Sequence, residues 1–213
     1  MATATRHRPP GSDGEHALQR RYGTQARAGA FYREQVTDQL NGAMREFIGR
    51  MEMAFVSTAD VEGNCDCSFR GGPPGFVRVL DAHTLVYPEY RGNGVMASQG
   101  NVTENGHVGL LFIDFFRSSI GLHVNGRARI VESAELDALS VDAAALAALQ
   151  ADGGPHRERW VLVEVEEAYI HCSKHVPLLA KQDKAIAWGT DDARLKGGDY
   201  FGVSASRRNG SGS

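Results

Sequence analysis

Between residues 53 and 131 the chain passes repeatedly through short runs of apolar, β-branched and aromatic residues, and polar turn chemistry separates them. The runs are Met53 to Ser57, Asn64 to Arg70, Phe76 to Leu80, Thr84 to Pro88, His107 to Asp114 and Ser119 to Val131. Links such as Asp60-Val61-Glu62-Gly63 and Asp81-Ala82-His83 carry residues that close turns through side-chain hydrogen bonds or a left-handed backbone. Trp160 to Val165 adds a further run. Closely spaced strands with few helices predict a mainly β domain with flanking helices, built as a six- to seven-stranded antiparallel barrel.

The flanks read differently. From Glu15 to Arg50, apolar residues at helical spacing (Leu18, Tyr22, Phe31, Val36, Leu40, Met44, Phe47) predict helices broken near Gly23 and Asn41-Gly42, packed on the barrel or on a second subunit. Gly94 to Glu104 is too polar for a buried strand and predicts a short helix starting beside Arg91. Glu132 to Gln150 predicts an amphipathic helix with Leu139, Leu146 and Leu149 inward, ended by Asp152-Gly153-Gly154-Pro155. The two ends, residues 1–14 and 206–213, are polar and rich in small residues and read as disordered tails.

Composition removes several function classes. A formal charge of -3 gives no bulk attraction to nucleic acid or an anionic membrane. The longest apolar stretches, Val108 to Phe116 and Ala143 to Leu149, are far shorter than a bilayer span, and the N-terminus lacks a secretory signal's apolar segment, so the expected location is cytoplasmic. Cys65, Cys67 and Cys172 form no CxxC, so neither a disulfide framework nor a zinc site is indicated, and the Cys65-x-Cys67 pair reads as buried small hydrophobes on one face of a strand. His171 and His175 have ligand spacing but lack partners, so no metal is expected, and His123 reads as a packed strand residue. Gly92 to Ala97 matches a loose dinucleotide fingerprint without its βαβ setting. No HExxH, P-loop or Ser-His-Asp order stands out.

The stretch from Ser68 to Asn93 carries the chemistry. Arg70, Arg78 and Arg91 lie in or beside paired strands among glycines, and planar guanidinium groups match phosphate oxygens two at a time. The run Gly71-Gly72-Pro73-Pro74-Gly75 loses two N–H donors to proline and reads as a rigid wall shaping the cleft. A small phosphate-bearing ligand on a β-barrel is the resulting expectation.

With these segments in order, the chain resembles the pyridoxamine 5′-phosphate oxidase-like flavoproteins and their FMN-binding split β-barrel. The resemblance rests on Met51 to Asp60, Ser68 to Val79, Tyr87 to Asn93, Asn105 to Phe112, Leu122 to Ile130 and His171 to Lys174. It implies a homodimer holding FMN at the subunit interface. Ser68, Arg70, Tyr87, Arg91, Asn93, Ser98 and Asn101 would lie around the phosphate. Val77, Arg78 and Val79 would run beside the isoalloxazine, and His171, Lys174 and Trp188 would come from the second subunit. It also implies five parts: a tail over 1–14, a helical extension over 15–50, the flavin barrel over 51–181, a segment covering the cleft over 182–205, and a tail over 206–213. The chain departs from the vitamin B6 oxidases where Arg91-Gly92-Asn93-Gly94 supplies one cation in place of an Arg-Lys pair. The expected activity is two-electron oxidoreduction of a small molecule, either reduction of a conjugated or quinone-like compound with NADH or NADPH as electron donor or oxidation with oxygen. A non-catalytic flavin or haem carrier and a deazaflavin-dependent reductase are the alternatives on the same fold.

Overall fold

The computed structural model of the chain describes residues 10–139, 147, 149 and 157–210. At its centre is an eight-stranded antiparallel sheet ordered β3-β2-β6-β7-β8-β5-β4, with β1 paired to β8. The strands are β1 (Val36–Thr37), β2 (Met53–Ala59), β3 (Cys65–Gly71), β4 (Arg78–Val79), β5 (Thr84–Tyr90), β6 (His107–Ile113), β7 (Gly121–Val131) and β8 (Arg157–His171). The strand beyond the expected seven is β1, a two-residue pairing inside the segment whose spacing predicts helix.

Alternation along β2, β6 and β7 builds the main core. Ala54, Val56, Leu110, Phe112 and Val124 face inward and are almost fully buried, each large side chain contributing roughly 1.5–3 kcal/mol. Their neighbours Phe55, Ser57, Leu111, His123 and Asn125 face out. On that outer face Phe55 meets Phe69 edge-on at 6.0 Å, and His123 stacks on Tyr169 at 4.6 Å.

Strand β8 runs well past the expected Trp160 to Val165 and pairs with β7, β5 and β1. Trp160, Val161, Leu162 and Val163 are all buried because the strand separates two cores. Val161 and Val163 join the main one, while Trp160 and Leu162 join a second with Val86, Val131, Leu136 and Leu149. The β7–β8 register shifts between Asn125 and Gly126, where a Cβ on Gly126 would stand 2.0 Å from the Glu164 carbonyl oxygen.

Helices α1 (Asp13–Tyr22) and α2 (Gln25–Gln35) bury no residue, whereas α3 (Gly42–Gly49) seats Phe47 and Ile48 under the sheet. Helix α1 starts inside the expected N-terminal tail, because Ser12 and Glu15 form a reciprocal capping box. At the other end α5 (Val203–Gly210) enters the expected C-terminal tail; residues 1–9 and 211–213 of those tails lie outside the described residues. The predicted helix over 132–150 begins as a 3₁₀ segment, Ser133–Ala138, and the chain is extended at Leu139. Most of its remainder, including Leu146, lies outside the described residues. No described helix is long and apolar enough to cross a membrane.

Two expectations are corrected. Cys65 and Cys67 are exposed rather than buried, because β3 is an edge strand, and Cys172 is exposed as well. The Gly-Pro run does not line the cleft bearing Arg70 and Arg91 but packs on the link between α3 and β2: Gly72 N–H donates to Glu52 O and Gly75 N–H to Met51 O. Gly75, at φ +77°, would bring a Cβ within 2.7 Å of Gly49 O.

The turn after β6 is held by Asp114, 4% exposed, which accepts the N–H groups of Phe116, Arg117 and Ser118 and the Ser118 hydroxyl. Burial opposes its ionisation, but these bonds outweigh burial and keep the carboxyl below its ordinary 3.8. A lowered folded pKa stabilises above 3.8 and loses that contribution as pH falls through the folded value. Asp114→Asn is therefore expected to cost about 1–2 kcal/mol at pH 7 in urea unfolding, with the deficit shrinking below pH ~3.8.

Candidate functional site

Strand β3 turns Asp66, Ser68 and Arg70 to one side at the two-residue period of the pleat. Beside them β5 ends at Glu89 and Tyr90, a loop carries Arg91 to Met96, and α4 (Ala97–Glu104) begins. Together they enclose a cleft of about 640 Å³, also lined by Gln99, Glu158 and Asp191, which lies within the usual range of small-ligand sites.

The loop is shaped for α4 to start facing this space. Asn93 Oδ1 accepts the Val95 N–H at 2.9 Å, and Met96 adopts φ +57° at the helix N-cap without capping the first turn through its side chain. A left-handed methionine costs about 1–2 kcal/mol, borne here where the helix amides meet the cleft.

Two arginines serve the cleft in different ways. Arg70 Nε donates to Glu89 Oε1 at 2.9 Å, and its Nη1 donates to the Phe69 carbonyl. Nη2 has no hydrogen-bond partner among the described residues. Glu89 is 5% exposed, and burial pushes its carboxyl above the ordinary value against the pull of Arg70. Arg91 pairs in the open with Asp191 at 2.9 Å, and Lys196 holds the other Asp191 oxygen at 3.4 Å. The first pair is fixed beneath the floor. The second can exchange one anion for another at small cost.

Ser68 and Ser98 each lie 2.8 Å from Asp66 Oδ2 and 2.9 Å from one another. Two hydroxyl protons serve three contacts, so neither is left for a ligand while Asp66 is ionised. Bonds from Ser98, then Ser68, hold Asp66 below its ordinary pKa and keep it so.

Of the residues expected around the ligand, Ser68, Arg70, Arg91, Asn93 and Ser98 line the cleft. Tyr87 does not: it is 1% exposed in the main core, and Tyr90 lines the cleft instead. Val77 is likewise buried in the core, Val79 packs against it, and Arg78 pairs opposite Val86, so none of the three lines the cleft. Asn101 Nδ2 donates to Thr58 Oγ1 and fastens α4 to β2. His171, at the end of β8, bonds His123 on the outer face, and Lys174 lies in the 3₁₀ turn beyond it. Trp188 does not line the cleft either; it stacks on the far side of its own chain's Tyr90 at 6.1 Å and packs against Gly71. Asp66, Glu89, Gln99 and Asp191 went unseen in the sequence; only Asp66 left a signal, through its alternation with Ser68 and Arg70.

An antiparallel split barrel with an arginine-bearing cleft where β3, β5 and α4 meet defines the class. The chain belongs to the pyridoxamine 5′-phosphate oxidase family, whose model matches residues 40–172. No curated protein matches it. Among solved structures it is similar to HupZ of Group A Streptococcus, at 24% identity over 59% of this chain and 89% of that one, TM-score 0.44. A Lactobacillus delbrueckii protein named for pyridoxamine 5′-phosphate oxidase aligns at 19% identity over 62% and 95%, TM-score 0.44. The FAD binding protein of Mycobacterium smegmatis aligns at 16% over 62% and 96%, TM-score 0.42.

Proposed function

We propose that the chain is an FMN-dependent oxidoreductase that acts on a small molecule by two-electron transfer, drawing electrons from NADH or NADPH in the cytoplasm. The observation carrying this reading is that Arg70 and Arg91 converge with the start of α4 on one cleft, where Arg91 already holds a carboxylate. A site that accepts an internal anion suits a ligand phosphate. Arg70, Arg91 and the first-turn amides of α4 would hold it, with Ser68, Ser98 and Asp66 as a fixed wall. Flavin, when bound, supplies hydride chemistry that needs no acid-base triad from the protein. Tyr90, with Trp188 stacked behind it, offers flat apolar surface at the rim and excludes water there.

A second copy of the chain is the proposed partner. The outward face that carries Phe55, Leu111 and the 56% exposed Phe69 suits burial against it, and His171 and Lys174 would then be delivered to the partner's cleft.

The purified protein is expected to show a flavin absorption band and to sediment as a dimer. Arg91→Ala is expected to weaken FMN about tenfold or more, since a hydrogen bond to a charged group contributes roughly 1.5–3 kcal/mol. A protein that takes up no FMN would sink the reading; a Soret band would favour a haem carrier, and uptake of deazaflavin alone a deazaflavin reductase.

A further inference from the structure

We propose that Glu89 is a positioning residue: its buried carboxylate holds the Arg70 guanidinium in the orientation that presents Nη2 to an anionic ligand. This rests on reading the cleft as a flavin-phosphate site.

An arginine on an edge strand has many rotamers, and a ligand that recruits it must order them first. Here that ordering exists beforehand. The bond from Nε to Glu89 Oε1 at 2.9 Å fixes the guanidinium plane, and Nη1 is taken by Phe69 O at 3.2 Å. Glu89 is itself held. Arg159 stands opposite Glu89 in the β5–β8 ladder, its Nη1 donates to Gln99 Oε1 at 2.9 Å, and both side chains favour the ionised Glu89 carboxylate against its burial. The line Arg159, Gln99, Glu89, Arg70 thus joins β8, α4, β5 and β3 under the cleft. Glu89 is 5% exposed between Pro88 and Tyr90, with Arg70 as its hydrogen-bonded cation and Arg159 opposite it on β8.

Charge and orientation act in opposite directions at this residue. Removing the carboxylate's charge favours a phosphate nearby, whereas removing the acceptor frees Arg70. Glu89→Gln and Glu89→Met share length and neutrality and differ in the acceptor, so their comparison isolates orientation. In calorimetric titrations FMN is expected to bind the Gln variant about tenfold more tightly than the Met variant. Riboflavin, which lacks the phosphate, should bind both alike. The difference should vanish in an Arg70→Ala background. Equal FMN affinities of the Gln and Met variants would overturn the proposal. Wild-type FMN affinity in Arg70→Ala alone would instead overturn the phosphate reading beneath it. A measurement that needs no Glu89 variant is hydrogen exchange at Arg70 Nε, assigned by Arg70→Lys. Slow exchange is expected, and exchange as fast as at an open arginine would also defeat the proposal.

Discussion

Arg70→Ala should release FMN and weaken the fold together, the largest functional effect expected of a single side chain in this protein. Loss of Nη2 removes a charged donor, and FMN affinity should fall by about ten- to a hundredfold. Loss of Nε leaves Glu89 buried without its ion-pair partner, at a cost of about 3–5 kcal/mol near neutral pH. The two effects separate with pH. Burial already raises the Glu89 carboxyl, and without Arg70 the rise is greater. A carboxyl whose folded pKa lies above its unfolded value stabilises below the unfolded value, and the contribution is lost as pH climbs through the folded one. Urea unfolding should therefore show a small deficit for Arg70→Ala near pH 4.5 that widens toward pH 7, with no such recovery of FMN affinity in acid. A deficit that does not change with pH would contradict the buried pair.

Gly126→Ala should part β7 from β8 at the centre of the sheet. Its Cβ would lie 2.0 Å from Glu164 O and 2.9 Å from Glu164 C, both main-chain atoms of β8 that no rotamer change can move aside. The register shift at Asn125/Gly126 depends on this approach, so β7 and β8 would have to separate. A cost above about 4 kcal/mol is expected, enough to leave the chain unfolded by circular dichroism or insoluble on expression. Gly100→Ala is the matched control. Nothing lies within 4 Å of a Cβ there, in the middle of α4, and the change should be neutral or stabilise by up to about 1 kcal/mol. Equal behaviour of the two variants would contradict the packing at Gly126.

Strands β2, β6 and β7 were legible in the sequence because their hydrophobic alternation matches a sheet with one buried face. Alternation failed where strands are buried on both faces. Leu85 to Glu89 in β5 form an unbroken buried run, so periodicity could not tell Tyr87, turned to the core, from Tyr90, turned to the cleft. The same cause hid the length of β8, whose ends are charged and whose middle serves two cores. At the site, Arg70 and Arg91 were legible because guanidinium groups among glycines have few other uses, but the same reading misplaced Arg78, which does not line the cleft. The carboxylates that pair with Arg70 and Arg91 were not legible. Glu89 becomes buried only when β3, β5 and α4 come together, and Asp191 reaches Arg91 across the fold from another part of the chain. The exposure of Cys65 and Cys67 follows from strand order, since only the sheet's arrangement reveals that β3 stands at an edge.

Strand β8 sits between β7 and β5, and β1 pairs with it too, so β1, β5 and β7 each need residues 157–171 to complete their hydrogen bonding. During synthesis the earlier strands therefore leave the ribosome with their apolar faces open, and closure waits for the last of the sheet to emerge. Loops this long make the search slow, on a scale of milliseconds to seconds for such topologies, and leave the nascent chain dependent on protection from aggregation until β8 arrives.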